Sequence, residues 1–240
     1  MSNKNKLRIF LYGSIILASL TFIYGRSLWH PLYLKIVGKK TEIEVYESIS
    51  SVTENKLSSY FSKAKVPYLP EKITLIALKN ERLLEIWATE NNQNTFIHNY
   101  KFTGFSGKLG HKLKSGDNQI PEGLYELEYL NPNSSYHLSV KINYPNEYDV
   151  ISAKKDGRSN LGGDIFIHGK SATIGCIPIG DENIEELFTL IYRIGLKNVR
   201  VIIAPNDMRN SNPKYKNSDI KWLNEKYEKI KSEMVKFPHS

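Results

Sequence analysis

The sequence predicts an α+β domain, mainly β with flanking helices, behind a hydrophobic N-terminal helix. Three observations carry the prediction. Short apolar or alternating runs between polar turns occupy residues 73–204, amphipathic stretches with helix start and stop signals flank them, and an uncharged run follows a basic N-terminal flank. At 240 residues with 40% hydrophobic content, the chain suits one packed domain with a terminal appendage rather than a disordered polymer. The expected partition is an N-terminal segment at 1–26, a helical linker region at 27–70, a β-rich domain at 71–210 and a C-terminal helix at 211–240 packed on it.

Charge is informative mainly by its placement. Lys4, Lys6, Arg8 and Arg26 fall in the first 26 positions, which hold no acid, so the formal charge of +8 drops to +4 for the remainder, with 29 basic against 25 acidic side chains. That balance is too mild for a nucleic-acid surface, no basic patch with interleaved aromatics appears, and no nucleic-acid partner is expected. The uncharged run Ile9–Gly25 ends at Arg26, and a basic flank followed by an apolar run is a membrane-insertion signal. It reads as a single-pass transmembrane anchor in the inner membrane, with the N-terminus in the cytoplasm and the rest in the periplasm. A cleaved signal peptide and a secreted periplasmic protein form the alternative, disfavoured because the one small-x-small site near the end, Gly25 to Ser27, has Arg26 in its middle.

Beyond this segment, residues 41–64 read as a helix, with Val45, Ile49, Val52, Leu57, Tyr60 and Phe61 at helical spacing and prolines at 67 and 70 closing it. The runs ITLIALK, RLLEIWATE and TFIHNYKF then read as strands of an antiparallel sheet, and GLYELEYL, YHLSVKINY and DIFIHG continue the pattern. Asp181 is placed to cap a helix whose stripe is Ile184, Leu187, Phe188 and Ile191 and whose stop is Gly195. The strand VRVIIA follows. A last helix, from about 219 to 235, carries Ile220, Leu223, Tyr227, Ile230 and Met234 on one face.

One stretch points to chemistry. In DIFIHGKSATIGCIPIGDENIEELF, residues 164–188, a histidine ends an apolar run and the chain's single cysteine follows eight positions later. Alternation puts Phe166 and His168 on one strand face, and the loop after Gly169 is long enough to bring Gly175 and Cys176 back beside that end. A neighbouring imidazole lowers a thiol's pKa and makes it a nucleophile, and the amides around Cys176 are placed to face a developing oxyanion. An exported protein with one cysteine makes no internal disulfide, so Cys176 needs some such explanation. Spacing alone leaves open the alternative of a small buried hydrophobe in the apolar IGCIPIG. A metal site is disfavoured, since His168 and Cys176 are two ligands where zinc takes three or four, and His98, His111 and His137 show no ligand spacing. No metal or cofactor is expected.

The stretch IHGKSATIGCIPIGDENIEELF resembles the active-site signature of the L,D-transpeptidase catalytic domain (YkuD-like) family, in which a histidine-glycine pair is followed by serine or threonine, one residue, then glycine-cysteine. The segments at 107–125, 131–149 and 201–209 are similar, in the same order, to the YafK-like murein L,D-transpeptidase branch. The resemblance covers roughly residues 70–210. It implies a mostly β sandwich outside the inner membrane that acts on peptidoglycan stem peptides through a thioester. It also implies that Cys176 is the nucleophile and His168 the general base, with the Gly169 carbonyl orienting the imidazole. The amides of Gly175 and Cys176 would form the oxyanion hole, and Thr173 takes the Ser or Thr position.

Departures from the family pattern bear on the acyl acceptor. Cross-linking members carry an arginine where this chain has Pro178, and their histidine-to-cysteine interval is longer, whereas the YafK-like branch, which includes hydrolases releasing lipoprotein from peptidoglycan, shares both features. A peptidoglycan-linked lipoprotein is therefore a candidate partner beside the stem peptides. His111 is expected as a surface loop residue. His137, Ser139 and Tyr144, on a strand the fold places near the catalytic one, are expected together with Thr173 to touch substrate. The expected function is an L,D-transpeptidase of cell-wall biogenesis. The alternatives are a cysteine hydrolase on the same polymer and a non-catalytic cell-wall binding module, the last disfavoured by the intact His168, Gly169, Gly175 and Cys176.

Overall fold

The computed structural model describes residues 3–215 and 219–238. Residues 1–40 and 41–240 form two separate compact units. The first contains helix α1 (Asn3–Tyr24) and helix α2 (Arg26–Val37), with Gly25 between them. Among the described residues no helix is long and apolar enough to cross a membrane, so the expectation of a transmembrane anchor is not supported. The run behind that expectation is short of the ~20 apolar residues a bilayer core requires, and Tyr12, Gly13, Ser14, Ser19 and Thr21 interrupt it.

The second unit opens with helix α3 (Glu42–Lys63), which starts at a capping box: the Glu44 amide donates to Thr41 Oγ1 at 3.3 Å and the Thr41 amide to Glu44 Oε2 at 2.7 Å. Strands β1 (Lys72–Leu78), β2 (Leu83–Glu90), β3 (Gln93–Lys101), β4 (Gly123–Ser134) and β5 (His137–Ile142) follow. Helix α4 (Glu147–Lys155) comes next, then β6 (Phe166–His168), β7 (Ile177–Pro178), α5 (Asp181–Ile194), a 3-10 turn at Leu196–Asn198, β8 (Val199–Ala204) and α6 (Leu223–Met234).

The strands form one eight-stranded mixed sheet in the order β3-β2-β1-β8-β4-β5-β6-β7. The pairs β1·β8 and β6·β7 are parallel and the others antiparallel. The expected sandwich of two sheets is corrected by this order. Twelve-residue β4 pairs β8 through Gly123–Glu126 and β5 from Leu127 to Ser134, joining what would have been two sheets into one.

Helices cover the sheet instead of a second sheet. On one face Leu57 and Phe61 of α3 and the fully buried Ile184, Leu187, Phe188 and Ile191 of α5 pack on Leu75, Val140, Ile167 and Val201. On the other face α6 lays Leu223, Tyr227, Ile230 and Met234 over Ile76, Trp87 and Ile202, with Leu124 of β4 and Tyr148 of α4 packed beside them. Val52, expected in the α3 stripe, is 61% exposed, and Thr53 takes the inward place with its hydroxyl 2.8 Å from that of Thr189.

A buried ionic cluster ties α6 to the sheet. Lys79 Nζ donates to Glu122 Oε1 at 2.8 Å and to the carbonyls of Gly110 and Ile120, while Tyr227 donates to Glu122 Oε2 at 2.7 Å. His111 lies within this cluster, accepting from the Glu122 amide at 3.2 Å, and is buried rather than a surface loop residue. Burial, and then the cations Lys226, Lys79 and Arg158, hold its pKa well below the usual histidine value. Because Lys79 and Glu122 are fully enclosed, Glu122→Gln leaves an uncompensated buried cation and is expected to cost about 3–5 kcal/mol in a denaturant melt. Lys79→Met with Glu122→Leu is expected to recover much of that loss, since the desolvation penalty disappears with the pair.

Candidate active site

Strand β6 positions the histidine. Ser139 stands opposite His168 and Lys141 opposite Phe166 across the β5 edge, and Pro178 stands opposite His168 across β7. Alternation sends Ile167 into the core beneath α5 and turns Phe166 and His168 to the opposite face. There Asn131, Ser139, Phe166, His168, Thr173 and Cys176 line one cavity of ≈ 300 Å³.

His168 Nδ1 lies 2.5 Å from the carbonyl oxygen of Gly169. Since a carbonyl only accepts, Nδ1 carries the proton and Nε2 is left as the basic nitrogen. Burial lowers the imidazole pKa against the opposing pull of this bond, so the ring is neutral at pH 7. The Tyr136 ring, 4.7 Å from the imidazole and tilted by 39°, forms part of its wall. A Cβ at position 169 would approach both Asp181 Oδ1 and the Tyr136 carbonyl oxygen to 2.7 Å, so the residue that orients the histidine has to be glycine.

The loop from 170 to 176 is tied at both ends. The Lys170 amide donates to Asp181 Oδ1 at 2.8 Å and its ammonium pairs with the same carboxylate. Asp181 is therefore not the cap of α5, a place held by Gly180, but the first helical residue and an anchor for the loop. At the far end Thr173 Oγ1 donates to the Cys176 carbonyl at 2.8 Å and accepts from the amides of Cys176 at 2.9 Å and Gly175 at 3.3 Å. Gly175 sits at φ +128, a backbone conformation that side-chain-bearing residues rarely adopt. The amides expected to form an open oxyanion hole are thus occupied by the Thr173 hydroxyl.

The thiol and imidazole share the cavity, but no hydrogen bond joins them. Cys176 Sγ accepts from the Phe166 amide at 3.4 Å and donates to the Asp164 carbonyl at 3.5 Å. Burial, partly offset by the Phe166 amide, pushes the thiol up to about 11. The expected lowering of the thiol pKa is reversed for a physical reason: burial penalises the thiolate, and the neutral imidazole in the same cavity supplies no charge to offset that.

The other expected contacts divide. Ser139, 2% exposed, and Thr173 line the cavity. His137 does not: a register irregularity between Asn131 and Ser134 and its own φ of +74 turn it toward α5, where Nε2 lies 2.6 Å from Glu185 Oε1. Tyr144 is 3% exposed within the core, its hydroxyl donating to the Leu161 carbonyl at 3.2 Å, and it does not reach the cavity either. Sequence reasoning passed over Asn131 and Tyr136, which arrive through the pairing of β4, β5 and β6, and Asp164, which stands just before β6. Phe166 was legible by alternation, since it shares the face of His168.

A model of the L,D-transpeptidase catalytic domain (YkuD) matches residues 71–203, more than half of the chain. The chain belongs to the YkuD L,D-transpeptidase catalytic domain family. It is similar to the Putative L,D-transpeptidase YafK of Escherichia coli K12 and of strain O157:H7, in each case 32% identical over 149 residues, which are 60% of this chain. Those residues are 58% of the relative, so the chain spans about three-fifths of the curated relatives it matches. Among solved structures it is similar to the helical cell shape determining protein Pgp2 from Campylobacter jejuni, at 17% identity, TM-score 0.47 and coverage of 75% of this chain and 77% of that one. Bd1075 of Bdellovibrio bacteriovorus gives 19%, 0.42, 70% and 55%. The span matched to the family contains α4, α5, β1 to β7 and most of β8, with His168 and Cys176 among them.

Two outcomes follow from this geometry. With a thiol pKa of about 11, alkylation of Cys176 by iodoacetamide is expected to accelerate with pH from 7 to 10 without levelling off. A plateau below pH 9 would mean a thiolate already paired with a cation. Thr173→Val removes three hydrogen bonds that hold the loop and is expected to cost about 1–3 kcal/mol by thermal melting. Thr173→Ser, which keeps the hydroxyl, is expected to retain most of that stability.

Proposed function

We propose that this protein is a cysteine-dependent L,D-transpeptidase that acts on peptidoglycan stem peptides through a thioester acyl-enzyme. The observation carrying the reading is the placement within one cavity of Cys176, at the end of the loop before β7, and of a His168 locked in its Nδ1–H tautomer at the end of β6. Family membership points the same way.

The resting pair is neutral, so the reaction begins with general-base catalysis rather than with a standing thiolate. Rotation of the Cys176 side chain away from the Asp164 carbonyl brings Sγ–H to His168 Nε2, which takes the proton as sulfur attacks the peptide carbonyl. The imidazolium is stabilised by the Gly169 carbonyl and returns its proton to the leaving amine, giving the thioester. An acceptor amine then attacks the thioester, its proton passing to Nε2, and the thiol is regenerated. The amides of Gly175 and Cys176 serve the oxyanion once substrate displaces the Thr173 hydroxyl from them.

Hydrolysis is the second reading, and Pro178 favours it. This residue is buried on β7, with its carbonyl accepting from the Thr103 amide at 2.9 Å, and it offers no charge where cross-linking members carry arginine. A peptidoglycan-linked lipoprotein is a partner of that reaction. In either case the reaction lies outside the inner membrane, in the periplasm where the polymer is, a location supported by the basic flank and uncharged run at the N-terminus.

Cys176→Ala is expected to abolish turnover while preserving the melting temperature, and His168→Ala to lower kcat by about 10²–10⁴. Wild-type turnover in Cys176→Ala would rule out the nucleophile. Incubation with a defined pair of muropeptides, read by mass spectrometry, is expected to yield cross-linked dimer that increases with acceptor concentration. Cleaved monomer without dimer at every acceptor concentration would establish the hydrolase instead.

A further inference from the structure

A second and larger cavity, ≈ 490 Å³, opens on the sheet where β4, β8 and α4 meet, and the chemistry above makes no use of it. Leu124 and Ile202 floor it and the Tyr148 ring forms a wall, while Glu126, Glu147 and Arg200 stand around the opening. These three charged side chains are exposed and make no hydrogen bond or ion pair among the described residues.

Both cavities lie on one face of the sheet. Leu124 and Glu126 point away from the core beneath α5, and the register shift between Leu127 and Tyr129 turns Tyr129 and Asn131 to that same side. Between the cavities the surface is formed by Tyr129, 41% exposed, with the Phe166 ring 6.2 Å from it and Lys141 Nζ 5.8 Å from its centroid. At ~3.4 Å per strand residue, the five steps from Glu126 to Asn131 span roughly 17 Å. An extended ligand of modest length reaches from one cavity to the other.

The lining chemistry narrows what the second cavity takes. Unpaired carboxylates outnumber cations, with Glu126 and Glu147 against Arg200 while Glu233 is paired to Lys236, which disfavours phosphates and other polyanions. Among the described residues no three His, Cys, Asp or Glu side chains converge as they would for a metal ion. Along the cavity β8 is paired on both sides, by β1 and by Gly123–Glu126 of β4, so a peptide cannot add to it as a strand. What remains is a neutral ligand bearing many hydroxyl or amide groups and one apolar face. Unpaired carboxylates accept from hydroxyls, the Arg200 guanidinium donates to ring or acetyl oxygens, and Leu124, Ile202 and Tyr148 receive the C–H face. The volume lies within the roughly 300–1,000 Å³ of small-molecule sites.

We propose that this cavity is a carbohydrate subsite, holding the glycan part of the substrate whose peptide part reaches Cys176. Only the assignment of sugar and peptide to one polymer rests on the peptidoglycan reading; sugar binding itself does not. The test titrates a peptide-free tetramer of β-1,4-linked N-acetylglucosamine into the full wild-type chain by calorimetry and ligand-observed NMR. Saturable binding is expected, weakened at least about tenfold by Arg200→Ala and by Glu126→Gln, with Glu147→Gln as a substitute should either variant lose its near-UV circular dichroism. A second arm compares kcat/KM for a stem peptide with and without its disaccharide. The wild type is expected to prefer the glycosylated peptide through a lower KM, and Arg200→Ala to lose that preference. Absence of saturable binding, or binding that the substitutions leave unchanged, overturns the proposal. Failure of the peptidoglycan reading looks different: no peptide is joined or cleaved, while the tetramer still binds and the variants still weaken it.

Discussion

Strand β6 is only three residues long, yet both His168 and Cys176 take their positions from how it is paired. Held between β5 and β7, it fixes His168 opposite Ser139 and presents the Phe166 amide to the Cys176 sulfur. Isolated strands of this length are unstable, so β6 depends on its flanks. The Gly169 amide continues the ladder to the Leu138 carbonyl at 3.1 Å, and the Ile179 amide donates to the His168 carbonyl at 2.9 Å. Ile167 and Ile177, fully buried beneath α5, add the apolar anchor. The active-site loop is then spanned between two points that cannot drift, with Asp181 at one end and Thr173 at the other.

Burial governs the electrostatics of the site as much as partner choice does. It lowers the imidazole pKa and raises that of the thiol, so both are neutral at pH 7. The same desolvation beneath α6 is met differently: Lys79, Glu122, Asp149 and Lys226 keep opposite charges in hydrogen-bond contact. One region holds the C-terminal helix on the sheet through buried ion pairs, whereas the Cys176 thiol and the His168 imidazole stay neutral in the other. The cavity lined by His168 and Cys176 lies on β5 and β6, beyond the part of the sheet that α6 packs against.

Much of the architecture was legible from short-range patterning. The stripes of α3 and α5, the strand runs and the alternation that separates Ile167 from Phe166 and His168 are local signals, and the structure follows them within a few residues. Helix α4 was passed over although it has a capping box: the Asp149 amide donates to Asn146 Oδ1 and the Asn146 amide to Asp149 Oδ2. Its nine residues carry no apolar stripe, so a search by hydrophobic period does not find it. The pairing of His137 with Glu185 had no sequence signal, since it spans 48 residues and depends on a left-handed backbone at His137.

Local chemistry along the chain was enough to specify which residue types meet at the site: a histidine ending a strand, two glycines where a Cβ does not fit, and one cysteine at the loop's return. Those features follow from backbone sterics and side-chain period, which act over a few residues. Tertiary packing decided the rest. Whether the strands close as two sheets or one turned on the length of β4 and its two partners, and whether His111 faces solvent or the core turned on where α6 lands. The protonation of Cys176 and His168 turned on how much water the fold removes from around them. Those outcomes depend on distances between segments remote in sequence, and only the folded chain sets them.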